Sequence, residues 1–162
     1  MYELLRLRSD HEDAVLNFEV ENRAFFSRSI SDRGDEFFEE YALRHRELLA
    51  EQGAGIGAFY VLVDDDETVV GRFNLYEIAD GSADVGYRIA ERVSSRGVAT
   101  SALRDFCRIA SRDYELRTLR ATTTIENVAS QRVLGKSGFI VVGSAQVAGR
   151  DGLKYEFDLT DF

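Results

Sequence analysis

The stretch Ala83-Asp84-Val85-Gly86-Tyr87-Arg88-Ile89, followed after a short gap by Ser94-Ser95-Arg96-Gly97-Val98-Ala99-Thr100, decides the fold. Ala83 to Ile89 reads as a strand, and Ala90 to Arg96 as an irregular link. From Gly97 to about Arg112, Ala99, Ala102, Leu103, Phe106 and Ala110 share one helical face, while Arg104, Arg108 and Arg112 share the other. A strand, a loop with a glycine and a small residue two further on, and a helix start together make an anion site. Backbone N–H groups converge there, and the helix dipole adds roughly half a positive charge. Gly97 lets the backbone approach a ligand that a Cβ would keep away. By itself the pattern also fits a structural turn before an amphipathic helix. It lacks the Gly-Lys-Ser/Thr of a nucleotide-hydrolysing loop and the further glycines of a dinucleotide fingerprint.

About thirty residues on, after a strand-like Thr118 to Thr124, stands Asn127-Val128-Ala129-Ser130-Gln131-Arg132-Val133-Leu134-Gly135-Lys136-Ser137-Gly138-Phe139. Asn127 and Ser130 fall on one face of a short helix, Asn127 to Lys136. That helix stops by Gly138, and Phe139 opens the next strand.

Outward from this centre, Leu4 to Arg8 reads as a strand, and Ser9-Asp10-His11-Glu12 fits a capping box that opens a helix. Ala24 to Gly34 is irregular. A helix from Asp35 to Glu51 follows, with Phe38, Tyr41, Ala42, His45, Leu48 and Leu49 at helical spacing. Ala58–Val63 and Thr68–Ile78 are strands joined by the turn Asp64-Asp65-Asp66-Glu67, and Phe139–Gln146 and Leu153–Leu159 by Gly149-Arg150-Asp151-Gly152. The order predicts one α/β domain over residues 1–162, a mixed sheet flanked by helices with at least one parallel crossover.

Composition narrows the class. The chain has 162 residues, 44% of them hydrophobic and 30% charged, with a net charge of −9. It is long enough for a single core and too acidic for a general nucleic-acid binder. No apolar run approaches a membrane span, and no signal peptide is visible, so a cytoplasmic location is expected. One cysteine and two histidines make neither an internal disulfide nor a typical zinc site, so no metal is expected. Charge is uneven: Arg88–Arg120 carries eight arginines against four acids, and Asp35–Glu51 six acids against two arginines. Both are compatible with solvated helix faces, and equally with a phosphate-bearing ligand at the first and a cationic substrate at the second.

With these motifs in order, the sequence resembles the GNAT acetyl-CoA-dependent N-acetyltransferases, in particular the RimJ/RimL-type branch that acetylates ribosomal-protein N-termini. Ser94 to Thr100 resembles the family's pyrophosphate loop, with Gly97 and Ala99 at the small-residue positions. Asn127…Ser130…Lys136-x-Gly138-Phe139 resembles the branch's Asn-x-x-Ser…Lys-x-Gly-Phe helix, and Asp84 to Ile89 the strand before the loop. The resemblance implies a splayed sheet whose parallel strands part to admit pantetheine. It implies acetyl-CoA as co-substrate, bound by Ser94, Ser95, Arg96, Gly97, Val98, Ala99, Thr100, Asn127 and Lys136. The oxyanion donor would be a backbone N–H around Tyr87, Arg88 and Ile89. Ser94 departs from the Gln or Arg of the wider family, and Leu134 falls where the usual tyrosine acid would stand.

For the chemistry, the resemblance offers Asp84 as a base and Ser130 as the hydrogen-bond partner of the leaving sulfur. A strand-start carboxylate and a helix cap are the plain alternatives. Cys107 and His45 read as core residues, His11 as a surface residue, and Tyr76 and Tyr87 as groove or packing residues. The acceptor is a primary amine: a protein N-terminus, or a small cationic amine matched to an acidic wall built from the Glu21–Gly34 stretch and the helix after it. A non-catalytic acyl-CoA-binding module is the rival, with a nucleotide switch behind it. No nucleic-acid or membrane partner is expected, and monomer and sheet-edge homodimer are both compatible with the chain.

Overall fold

The computed structural model describes residues 1–160 and 162. Seven strands form one sheet in the order β1-β2-β3-β4-β5-β7-β6. In chain order they are β1 (Glu3–Arg6), β2 (Ala58–Val63), β3 (Val69–Ala79), β4 (Ser82–Ile89), β5 (Thr118–Thr124), β6 (Ile140–Val147) and β7 (Arg150–Asp158). The helices are α1 (Glu12–Glu21), α2 (Arg23–Phe26), α3 (Asp35–Glu39), α4 (Tyr41–Gly53), α5 (Val98–Asp113) and α6 (Val128–Lys136). All strand pairs are antiparallel except β4 with β5. That pair needs a crossover, which α5 supplies.

The core lies between the sheet and α5 on one face, and between the sheet and α1 and α4 on the other. Leu103, Phe106, Cys107 and Ala110 of α5 are fully buried, and Phe106 packs on Tyr60 and Phe73. The opposite face receives Val15 and Phe18 of α1 and Tyr41, His45 and Leu48 of α4. Burial on both faces explains why β2 is an unbroken apolar run, Ala58-Phe59-Tyr60-Val61-Leu62-Val63, rather than an alternating one.

Several local expectations are corrected. Ser9 does not cap α1: residues Ser9–His11 form a 3-10 turn, and His11 Nδ1 accepts the Arg8 N–H at 2.9 Å. His11 is therefore buried rather than on the surface. The helix expected over Asp35–Glu51 is two, α3 and α4, broken at Glu40, whose φ of −112° and ψ of 24° leave the helical region. At the break Phe37 and Phe38 lie under Arg33 and Arg23, while Tyr41 turns into the core. Spacing alone could not show that consecutive turns face different partners. The β6–β7 hairpin turns at Ala148-Gly149, both with positive φ, not across Gly149 to Gly152. Gly152 lies inside β7, where a Cβ would come within 2.6 Å of the Thr123 carbonyl oxygen. It is a close-approach glycine, not a turn residue. The Asp64 turn is as read: Asp64 Oδ1 accepts the N–H groups of Asp66 and Thr68.

Candidate active site in the splay between strands

β4 and β5 pair only over Ser82–Asp84 with Thr118–Arg120. Beyond Asp84 no register links them, and β5 follows β7 instead. A cavity of about 190 Å³ occupies the opening, lined among others by Val85, Gly86, Tyr87, Thr122, Ser130 and Leu134. Ser29, Ile30 and Ser31 close it from the α2 side. A second groove, on the face of Tyr76 and Asp84, shares Val85, Gly86, Ala121 and Thr122 with it. The sheet is thus open from one face to the other at the point where its parallel pair parts.

The direction of the β4 amides follows from one bond. The Ala90 N–H donates to the Val70 carbonyl of the β3 side at 2.8 Å. Alternation along an antiparallel ladder then turns the amides of Arg88, Gly86 and Asp84 toward β3, and those of Ile89, Tyr87 and Val85 toward the gap. The Arg88 amide accordingly faces β3 rather than the gap, and its guanidinium reaches Glu19 on the α1 face at 3.4 Å.

The loop before α5 is a row of turned amides. Ser95 has φ of 60° and Gly97 φ of 76°, and Gly97 is the N-cap of α5. A Cβ on Gly97 would meet no protein atom within 4 Å, so the left-handed backbone, not protein crowding, is what calls for glycine. Ser94 Oγ donates to the Glu91 carbonyl at 2.7 Å. Arg96 is exposed, and Val98, Ala99 and Thr100 form the first turn of α5. A groove of about 290 Å³ runs along Ser95, Gly97, Ala99 and Thr100 to Ala129, Arg132, Val133 and Lys136 of α6. Sequence reasoning found Lys136 and missed Arg132. The signal was there: positions 129, 132, 133 and 136 form one stripe of a helix.

Asn127 is the cap of α6, its Oδ1 accepting the Ser130 N–H at 3.1 Å. Ser130 is therefore free of capping duty, and its Oγ lies 3.2 Å from the Tyr87 hydroxyl. Burial pushes the Tyr87 phenol up to about 12, against a smaller opposite pull from Ser130, so it holds its proton at neutral pH. Leu134 is buried and lines the same cavity, supplying only apolar wall.

Asp84 lies on the opposite face of β4 from Tyr87. It is tied to Arg120, whose Nε donates to Oδ1 at 2.8 Å, and lines the second groove. The structure thus brings Tyr87, Ser130 and Asn127 together and sets Asp84 across the sheet from them. None of the acidic side chains of 35–51 lines either cavity. The interior of the α1 face instead holds Glu19 among Arg33, Arg72 and Arg88. Burial favours the neutral acid, but Arg33 and Arg72 outweigh it and hold Glu19 below the ordinary carboxylate range. Arg88 is lowered to about 10 by burial and by neighbouring Arg33, with Glu19 acting against them.

Cys107 and His45 are core residues, His45 contacting the Tyr41 hydroxyl and the Arg8 carbonyl. Among the described residues no group of three or more His, Cys, Asp or Glu side chains is placed to hold a metal, and no helix is long and apolar enough to cross a membrane.

Comparison with known proteins agrees with this geometry. The acetyltransferase (GNAT) domain family matches residues 3–140. A probable N-acetyltransferase, YjcK of Bacillus subtilis, is 27% identical over 140 residues, covering 81% of this chain and 76% of that protein. Among solved structures, the ribosomal-protein-S5-alanine acetyltransferase of Vibrio fischeri superposes with a TM-score of 0.90 at 20% identity, over 99% of this chain and 94% of that one. RimJ of Mycobacterium smegmatis, in complex with CoA-disulfide, gives 0.88 at 22% identity, over 99% and 83%. The spermidine N-acetyltransferase of Vibrio cholerae, with CoA and spermine, gives 0.82 at 18%, over 98% and 96%.

Proposed function

The chain belongs to the GNAT acetyltransferase family, and from that premise we propose how its splay transfers an acetyl group from acetyl-CoA to a primary amine. The observation that carries the reading is the parting of β4 from β5 beside a helix that starts at a left-handed glycine. Acetyl-CoA fits these residues. The amides around Ser95 to Thr100 and the cations Arg132 and Lys136 suit a pyrophosphate, and the opening suits the thin pantetheine arm.

The amine nitrogen attacks the thioester carbon, the C–S bond breaks and an amide forms. The gap-facing amides of Tyr87 and Ile89 are the donors available to the developing oxyanion. The Ser130 hydroxyl, backed by the Tyr87 hydroxyl, hydrogen-bonds the departing sulfur, which leaves as a thiolate and takes its proton from solvent. Asp84, with Arg120 fixing its carboxylate, receives the amine proton through water from the acceptor-side groove. Asn127 keeps its Oδ1 on the helix and offers its amide N–H groups to the pantetheine arm. The acceptor enters from the α2 face, and a protein N-terminus, such as the N-terminal serine of ribosomal protein L7/L12 named for an acetyltransferase of Salmonella typhimurium, fits an opening that begins at the surface. We place the reaction in the cytoplasm, in keeping with an acidic chain whose single cysteine is free and buried.

Calorimetric titration with acetyl-CoA tests the reading, comparing the wild type with Gly97→Trp, followed by thiol release over an amine panel. Micromolar binding lost in the variant, with turnover in the wild type, is the expected result. Binding without turnover of any amine would favour the non-catalytic acyl-CoA module, and no binding at all would sink the reading.

A further inference from the structure

The sheet face on the acceptor side carries more arginine than the protein neutralises. Across β3 and β4, Arg72 stands opposite Arg88, Asn74 opposite Gly86 and Tyr76 opposite Asp84. These side chains share the face turned toward α1. Glu19 of α1 is 1% exposed and meets three guanidinium groups: Arg72 at 2.8 Å, Arg33 at 3.0 Å and Arg88 at 3.4 Å. The next carboxylate along the face, Asp84, is tied to Arg120. One negative charge therefore faces three positive ones, two of which, Arg72 and Arg88, are 5% and 15% exposed. A buried excess of cation is costly unless an anion joins it.

That excess adjoins the splay. Gly86, which lines both cavities, precedes Arg88 by two residues on the same face, a distance of about 7 Å along a strand. Arg88 lies over the Phe26 ring, and the turn after Phe26, Ser29 to Ser31, closes the cavity. Opposite Gly86, Asn74 Oδ1 is buried with no hydrogen-bond partner among the described residues, while Nδ2 donates to the Tyr76 hydroxyl. The face thus presents, in order, a carboxylate at Asp84, an unused hydrogen-bond acceptor at Asn74 beside the glycine gap, and an under-neutralised guanidinium at Arg88.

We propose that the acceptor is an amine carrying its own anionic group. Its nitrogen sits by Gly86 with an N–H on Asn74 Oδ1, and its anion sits on Arg88 and Arg33. This deepens the transferase reading and rests on it. The shared chemistry is a carboxylate close to an amine, whether in a free amino acid or in the acidic second side chain of a protein N-terminus.

Two matched pairs separate these sources: alanine against alaninamide, and amidated alanyl-aspartate against amidated alanyl-asparagine. Each is titrated calorimetrically into the CoA-loaded protein, and each is assayed for thiol release with acetyl-CoA. The expected result is a preference of roughly tenfold or more for the carboxylate member of one pair, abolished by Arg88→Gln. That variant leaves Glu19 two arginines, and a thermal melt checks its fold. Arg33→Gln, at the solvent edge of the cluster, gives the same reading if Arg88→Gln unfolds. Equal binding within both pairs, no binding by any member, or preference for the neutral member overturns the proposal. Turnover without a carboxylate preference removes the anion subsite and leaves the transferase. Carboxylate-dependent binding without turnover does the reverse.

Discussion

The hydroxyl of Tyr87 on β4 lies 3.2 Å from Ser130 Oγ on α6, and this contact joins the two walls of the splay. It exists because Asn127, not Ser130, caps α6, so the serine hydroxyl is left to face the cavity. Leu134 lines the same cavity as an apolar wall, and Tyr87 brings a phenol to this point.

Ser130→Ala is expected to lower kcat about tenfold or more, with little change in the KM for acetyl-CoA. It removes a donor to the leaving sulfur rather than a binding contact. Tyr87→Phe should lower kcat less, because Ser130 stays. Since burial holds the Tyr87 phenol near 12, the pH–rate profile should show no tyrosine ionisation below about pH 10. Steady-state thiol release across pH measures all three.

Asp84→Asn should lower kcat/KM by roughly ten- to a hundredfold at neutral pH if the carboxylate receives the amine proton. Its effect on stability should be about 1 kcal/mol or less, because the Arg120 pair is partly open to solvent. A variant as active as the wild type would assign Asp84 to the ion pair alone. Parallel kinetics and urea denaturation separate the two roles.

Glu19 links stability to pH. Its carboxyl is lowered from 4.5 in the folded protein, so its contribution is fully present above the unfolded value and is lost as pH falls through the folded one. Stability should therefore decline on acidification below about pH 5. Glu19→Gln should flatten that slope while removing about 3 kcal/mol or more at pH 7, because three arginines lose the carboxylate that pairs with them among the described residues. Urea melts at a series of pH values read both effects.

Cys107 is fully buried and burial pushes its thiol up to about 12. The native protein should resist iodoacetamide at pH 8 and react within minutes in denaturant, with activity unchanged by the native treatment. Mass spectrometry of intact protein reads the difference.

Much of the candidate site's local geometry was legible because its parts are close in sequence. Gly97 two residues before Ala99, and Asn127 three before Ser130, are spacings that a loop and a helix start convert directly into geometry. What was not legible depends on which face an element buries. Arg88 reads as part of the strand that receives the cofactor, yet period-two alternation sends its side chain to Glu19, 69 residues away in sequence. Nothing near position 19 shows that a helical glutamate will be buried among arginines. Likewise the acids of 35–51 look like a wall, but the break at Glu40 turns aromatic and apolar side chains inward and leaves them outside both cavities.

The sequence by itself determined the order of the strands along the chain, the glycine at the start of α5 and the absence of an α6 tyrosine, since each follows from local backbone preference and side-chain identity. The tertiary structure decided where the sheet opens, that Tyr87 meets Ser130, and that Glu19 is buried among Arg33, Arg72 and Arg88 on the α1 face. Those are relations between residues far apart in the chain. They are set by how β4 parts from β5 and by which side chains each face must bury, and no short window of sequence carries that balance.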